Sequence, residues 1–319
     1  MRWISGVIGG LHGSVAGVLR SGDAFFEAWI GMPFAWEMLA ASGTLSDPRA
    51  MFGSRMIIDF TGKRAIVSGS TLGIGFAIAQ GLAASGATVV INGPSQESVD
   101  VALSRLAEMV PRARVEGIAA DLSGPDGVAA FVARARETDI LVNNLGIFEP
   151  KPFDAITDAD WQRLFETNVM SGVRLSRHYL PAMVKRGWGR IVFISSESGL
   201  NIPVEMIHYG MTKTAQLAIS LGLAVSVAGT GVTVNAVLPG PTRSDGAVAF
   251  YAKLAAERGV SEDEIERQFI ATYRPTSLIR RLATVEEVAN MVVYVCSEQA
   301  SATTGAALRV DGGMLRSIA

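Results

Sequence analysis

The chain has 319 residues, with 30 acidic against 28 basic side chains and a net charge of −2. That balance, without a basic run of five or any zinc-finger spacing, excludes bulk attraction to nucleic acid. The single cysteine, Cys296, excludes an internal disulfide and points to a reducing compartment, the cytoplasm, while the scattered His12, His178 and His208 form no metal site.

Residues 1–55 hold three of the five tryptophans, Trp3, Trp29 and Trp36, and the run WISGVIGGLHGSVAGVL. His12 interrupts that run, which is too weakly apolar for a membrane span. Arg2 ahead of it imitates a secretion signal, but no small-residue cleavage site follows. The segment DAFFEAWIGMPFAWEMLA suits a short amphipathic helix, broken near Pro33, that would lie on a membrane or a partner. The plainer reading is favoured: residues 1–55 are an extension, and a chain beginning at Met56 keeps its activity.

From Ile57 onward, seven runs rich in β-branched residues follow one another: RAIVSG, ATVVIN, VEGIAA, DILVNN, RIVFIS, GVTVNAVLP and AALRV. Segments with apolar residues three and four apart separate them. Such alternation predicts an α/β domain over 56–319, a doubly wound parallel seven-stranded sheet with helices on both faces.

The first run leads into SGSTLGIGFAIAQGLAASG, where Gly69, Gly73 and Gly75 fall at a strand-to-helix turn. Backbone there can approach a pyrophosphate closely, and a helix N-terminus favours the anion. Further along, DADWQRLFETNVMSGVRLSRHYL reads as one long helix, with Asn168 inside its apolar stripe. A buried asparagine needs hydrogen-bond partners, so it braces the core or positions something specific. RIVFISSESG ends in Ser195 and Ser196, which by themselves would only form a turn.

In HYGMTK, Tyr209 precedes Lys213 by four residues, one helical turn on the same face. A free phenol with a pKa of about 10 holds its proton too firmly for exchange near neutrality, and an ammonium beside it lowers that value. The pair therefore suits proton exchange with a carbonyl or alcohol oxygen.

Together these features resemble the short-chain dehydrogenase/reductase family in its single-domain form, as in 3-oxoacyl-ACP-reductase-like oxidoreductases. The resemblance runs from about Ile57 to the C-terminus. Ser68 and GIG at 73–75 match its T-G-x-x-x-G-I-G, ADL carries Asp121, and NNLG at 143–146 matches N-N-A-G with the bulkier Leu145 in place of alanine. LPGPT at 238–242 matches its segment beside the nicotinamide. The resemblance implies a Rossmann fold and NAD(P)-dependent interconversion of a carbonyl and a secondary alcohol. It implies a tetrad of Asn168, which holds a proton-relaying water, Ser196, on the substrate oxygen, Tyr209, the acid/base, and Lys213, on the nicotinamide ribose; Ser195 is the alternative serine. Cofactor contacts fall on Gly69, Ser70, Thr71, Gly73, Ile74, Gly75, Asp121, Leu122, Asn144, Gly146, Tyr209, Lys213, Pro239, Gly240 and Thr242.

At the end of the second strand, INGPSQES has Gly93 where an aspartate would grip the ribose hydroxyls, and Pro94 where NADP-using relatives often carry arginine. With no carboxylate to repel a 2′-phosphate, the choice between NAD and NADP inclines to NADP. A variable lid over about 242–279 is expected above the substrate, with Phe148, Asn201, Glu205, Met206 and His208 as wall residues. A sugar or polyol, an aromatic ketone and an acyl-carrier thioester all stay open. The family commonly assembles as homodimers or homotetramers, and the apolar TKTAQLAISLGLAVSVAG suits burial against a partner. The other reading is a non-catalytic nucleotide-binding scaffold on the same fold.

Overall fold

The computed structural model describes residues 56–317. The expectations for residues 1–55, their membrane contact included, lie outside the described residues.

All seven predicted runs are strands of one parallel sheet: β1 (Arg64–Val67), β2 (Thr88–Gly93), β3 (Arg114–Ala119), β4 (Ile140–Asn143), β5 (Gly189–Ile194), β6 (Val232–Pro239) and β9 (Ala307–Val310). Two short strands, β7 (Thr242–Arg243) and β8 (Ala283–Thr284), pair separately. The main order is β3-β2-β1-β4-β5-β6-β9. Val67 of β1 lies opposite Ile91 on one side and Val142 on the other.

The hydrophobic pattern explains the order. ILVN, GRIVFI and VTVNAVLP are buried along their whole lengths, as central parallel strands covered on both faces must be. RVEGIA and ALRV alternate in exposure and occupy the two edges. Within a strand, successive residues serve opposite faces. Val67, Val89, Val142 and Val192 belong to the core under α1 (Gly73–Ala84), α2 (Gln96–Met109) and α9 (Val285–Cys296). Their neighbours Ile66, Val90, Leu141 and Ile191 belong to the core under α3 (Pro125–Arg134), α5 (Ser171–Arg186) and α6 (Ile207–Ser226). Cys296 is fully buried in the first of these, and burial pushes its thiol up to about 12, so it is a packing residue.

The strand order reverses between β1 and β4, which leaves a crevice at the carboxyl ends of those strands. Helices begin there with explicit caps in several places: Ser95 accepts from Ser98 N–H at α2, and Thr284 forms a capping box with Glu287 at α9. α1 has no side-chain cap at Leu72, so its first N–H groups are left for another acceptor.

The long helix expected through Asn168 is interrupted. α4 (Asp158–Phe165) passes into α5 through one widened, π-type turn, Glu166–Met170. Such a turn re-aims a side chain in the middle of a helix.

The segment expected to form a lid is built from α7 (Asp245–Arg258) and α8 (Glu262–Tyr273), framed by the β7–β8 pair. It has a small core of its own, with Tyr251, Ile265, Ile270, Leu282 and Met314.

Candidate active site

The turn after β1 is wired to both neighbouring strands. Gly69 N–H donates to Asn92 Oδ1 at 3.1 Å, and Asn92 N–H donates to Ser70 Oγ at 2.9 Å. Asn144 Nδ2 donates to the carbonyls of Ser68, at 3.0 Å, and Gly69, at 2.7 Å. Ser68 Oγ in turn accepts from the N–H groups of Asn144 and Leu145. Gly75 is required by packing, because a Cβ there would collide with Asn144 Nδ2 and the Gly69 carbonyl. Gly73 takes φ +59° and donates its N–H to Asp245 Oδ2 of the lid at 2.7 Å. Thr71 and Ile74 stay partly exposed on this turn.

The other expected contacts sit around the same crevice. Gly146 approaches Lys213, whose Nζ lies 3.3 Å from where a Gly146 Cβ would be. Pro239 ends β6, Gly240 N–H donates to the Val310 carbonyl, and Thr242 Oγ1 donates to the Gly240 carbonyl at 2.9 Å. Asp121 is exposed and accepts from Ser123 N–H, which holds its carboxyl below the usual range. Leu122 is different: its side chain is buried in the second core. Leu145 fits where the resemblance implied alanine because it packs over Gly69 and against the same core.

Tyr209, Ser196, Lys213 and Asn168 converge at the far side of this crevice. Ser196 Oγ accepts from Ser198 N–H at 3.1 Å, and Ser196 lies near enough to the Tyr209 phenol to favour its charged form. Ser195 is turned the other way and donates to the Lys213 carbonyl at 2.8 Å. Adjacent strand residues point to opposite faces, so only one serine can meet the tyrosine.

Lys213 is 4% exposed, and its Nζ donates to the Ile194 carbonyl at 2.9 Å and to Gln216 Oε1 at 3.3 Å. Burial lowers its pKa to about 7. Tyr209 is pushed up to about 12, chiefly by burial, with Ser196 opposing. The expected lowering of the phenol is reversed, because withdrawing both groups from water disfavours both charged forms. The Lys213 amine lies 5.6 Å from the Tyr209 ring centroid, on the same side.

Asn168 occupies the widened turn at 1% exposure. Its side chain pairs with the Ile147 backbone in both directions, at 2.8 and 2.9 Å, and donates to Thr212 Oγ1 at 3.0 Å. Its main-chain carbonyl accepts from Gln216 Nε2 at 2.6 Å. A continuous chain thus runs from Lys213 through Gln216 to Asn168. Sequence reasoning missed Gln216, Thr212, Asn92 and Glu197. The first two carried a signal, since they are polar and lie three residues beyond Lys213 and Tyr209 on an otherwise apolar helix.

His208 is corrected as a wall residue. It is completely buried, its ring edge-on to Trp161 at 5.8 Å between centroids, and neither nitrogen has a hydrogen-bond partner. Phe148 is exposed and stands edge-on to Tyr209 at 6.1 Å, as a wall residue would. Glu205 joins Pro150, Lys151, Pro152, Phe153 and Val204 around an adjoining open cavity of about 460 Å³.

Residues 69–315 match the profile of the family described as enoyl-(acyl carrier protein) reductase. An uncharacterized oxidoreductase of Bacillus subtilis, YvrD, is 46% identical over 80% of this chain and 97% of its own. The chain is a short-chain dehydrogenase/reductase. The 3-oxoacyl-[acyl-carrier-protein] reductase FabG of Aquifex aeolicus is 34% identical, over 81% of this dehydrogenase/reductase and all of FabG. The L-sorbose reductase of Gluconobacter frateurii, whose crystal structure is complexed with NADPH and L-sorbose, superimposes with a TM-score of 0.78. It is 33% identical and covers 82% of this chain and 100% of its own. This short-chain dehydrogenase/reductase is accordingly an NAD(P)-dependent oxidoreductase that interconverts a carbonyl and an alcohol. Among the described residues, no helix is long and apolar enough to cross a membrane and no group of metal-ligating side chains is found.

The residues present fit a dinucleotide. The start of α1, which has no N-cap side chain of its own, a turn whose glycines leave no side chain over the crevice, and a buried amine beside Gly146 would form its cradle.

Proposed function

We propose that Tyr209 is the acid/base of an NADP-preferring reductase acting on a small-molecule carbonyl. The observation that carries this reading is the buried Lys213 amine, held by the Ile194 carbonyl 5.6 Å from the Tyr209 ring. When bound, the nicotinamide supplies or accepts the hydride. Ser196 and Tyr209 then hold the substrate oxygen between two hydroxyls, and Tyr209 donates its proton as charge develops there. Lys213, held by the Ile194 carbonyl and Gln216, is placed to carry a proton toward Tyr209 as that phenol is depleted. Asn168 braces the widened turn, and its carbonyl ends the chain that begins at Lys213.

Gly93 supports the preference for NADP. A Cβ there would lie 2.5 Å from Thr71 Cγ2 and 2.8 Å from Ser98 Oγ, so an aspartate would have to displace both side chains. The hydroxyls of Thr71, Ser95 and Ser98 and the start of α2 offer donors to a 2′-phosphate instead. The similar L-sorbose reductase is complexed with NADPH.

Exposed Leu221 and Val225 on α6 support a homodimer or homotetramer. The lone thiol, buried and free, supports a cytoplasmic setting.

Tyr209→Phe tests the assignment. Turnover of a carbonyl screen with NADPH should fall about 10³-fold while the NADPH-induced rise in melting temperature persists. Undiminished turnover removes Tyr209 from the role, and a larger shift with NADH than with NADPH reverses the cofactor preference.

A further inference from the structure

A charge pair next to the Ser196–Tyr209 hydroxyls has no part in the mechanism above. Glu197, the residue after Ser196, is only 2% exposed, and its Oε1 accepts from Arg274 Nε at 3.0 Å. Arg274 follows the last helix of the lid, 77 residues away in sequence, and is itself nearly buried. Burying a carboxylate is unfavourable unless it is fully paired, yet Glu197 Oε2 has no hydrogen-bond partner. A charge kept there at that cost needs a reason, and its position offers one.

Glu197 opens the short turn Glu197–Gly199, whose N–H at Ser198 holds Ser196 Oγ. The lid therefore grips the same turn that aims the serine at the tyrosine. The charged groups facing Tyr209 are few: Lys213 from its own helix, Glu197 from this turn and Arg274 from the lid, with Glu205 3.9 Å from the Arg274 guanidinium. His208, on the neighbouring position, is turned away against Trp161.

We infer that the Arg274–Glu197 pair is a positioning device that couples closure of the lid to proton transfer at Tyr209. With the lid down, the two charges cancel near the phenol and Ser196 is held in place. With the lid raised, Glu197 is left as an unpaired negative charge beside the phenol, which opposes any second negative charge there. Burial, Glu197 and Arg274 act on the phenol in those senses: the carboxylate raises its pKa and the guanidinium lowers it. The chemistry is thereby confined to the closed state, where water is excluded from the substrate.

This inference rests on Tyr209 being the acid/base, and its test separates the two ideas. The pH dependence of turnover is measured for the wild type, Glu197→Gln, Arg274→Met, Arg274→Lys and the double variant Glu197→Gln/Arg274→Met. Glu197→Gln should move the tyrosine limb to lower pH by about one unit, and Arg274→Met to higher pH by a similar amount. Arg274→Lys should lie near the wild type, and the double variant, which leaves no unpaired buried charge, should return most of the way. A merely structural pair would lower activity in the single variants without opposite displacements. The tyrosinate absorbance of each protein minus that of its Tyr209→Phe counterpart, read by pH jump, gives the same ordering without any substrate. Coincident profiles in all variants overturn the inference. If no carbonyl is turned over, the functional reading fails on its own, and the absorbance titration still decides the role of the pair.

Discussion

The carboxylate of Asp245 accepts a 2.7 Å hydrogen bond from the backbone N–H of Gly73, at the start of α1, where a dinucleotide phosphate would be received. A helix N-terminus attracts one anion well, and two anions at the same N–H group repel each other. A cofactor phosphate bound here would therefore compete with Asp245 for this donor. Asp245→Asn should tighten NADPH binding about fivefold, equivalent to roughly 1 kcal/mol, in a fluorescence titration. Weaker binding in the variant would mean that Asp245 steadies the occupied turn.

Gly93 bears on cofactor choice. Because Thr71 and Ser98 already fill the space a side chain would need, Gly93→Asp should not convert the enzyme to NAD. Overpacking of this kind costs about 1–3 kcal/mol. The expected result is a lower melting temperature and weaker binding of both NADPH and NADH. An NADH affinity that rises in the variant would show that the turn relaxes freely.

Lys213 imposes a pH dependence on stability. Its pKa is lowered from 10.5 to about 7 in the folded chain, so between those values the unfolded chain binds more protons. Stability should rise with pH across that window and lose the contribution as pH falls through 7. Tyr209 acts oppositely at higher pH: its pKa rises from 10 to about 12, and its contribution is lost as pH climbs through that range. Denaturant melts from pH 7 to 9.5 should therefore show a shallower rise in Lys213→Met than in the wild type. Equal slopes would place the ammonium outside the buried site.

His208 works on the acid side. Burial lowers its pKa, and neither ring nitrogen has a partner, so the folded chain keeps it neutral while the unfolded chain protonates it below about 6.5. Its share of stability is full above that value and is lost as pH falls. His208→Phe retains an aromatic ring beside Trp161 and removes the titration. Between pH 7 and 5 the variant should lose less in melting temperature than the wild type. An identical loss would assign the acid sensitivity elsewhere.

Much of this molecule was legible from the chain alone. The seven strand runs, the glycine turn and the Tyr209–Lys213 pair follow from periods of two and four residues, which are local properties of backbone geometry. Cys296 sits in the apolar run MVVYVC and is fully buried. The widened turn at Asn168 was not legible, because its cause is a pair of hydrogen bonds to Ile147, 21 residues earlier.

The sequence by itself determined the sheet and the class of chemistry, since each depends on side chains a few positions apart. Tertiary structure alone decided that Ser195 is taken up by the Lys213 carbonyl and that His208 is buried. It also set Asp245 on Gly73 across 172 residues and joined Arg274 to Glu197 across 77. Those relationships are fixed by the lid folding back over the strand ends, and contacts made through space leave no period along the chain.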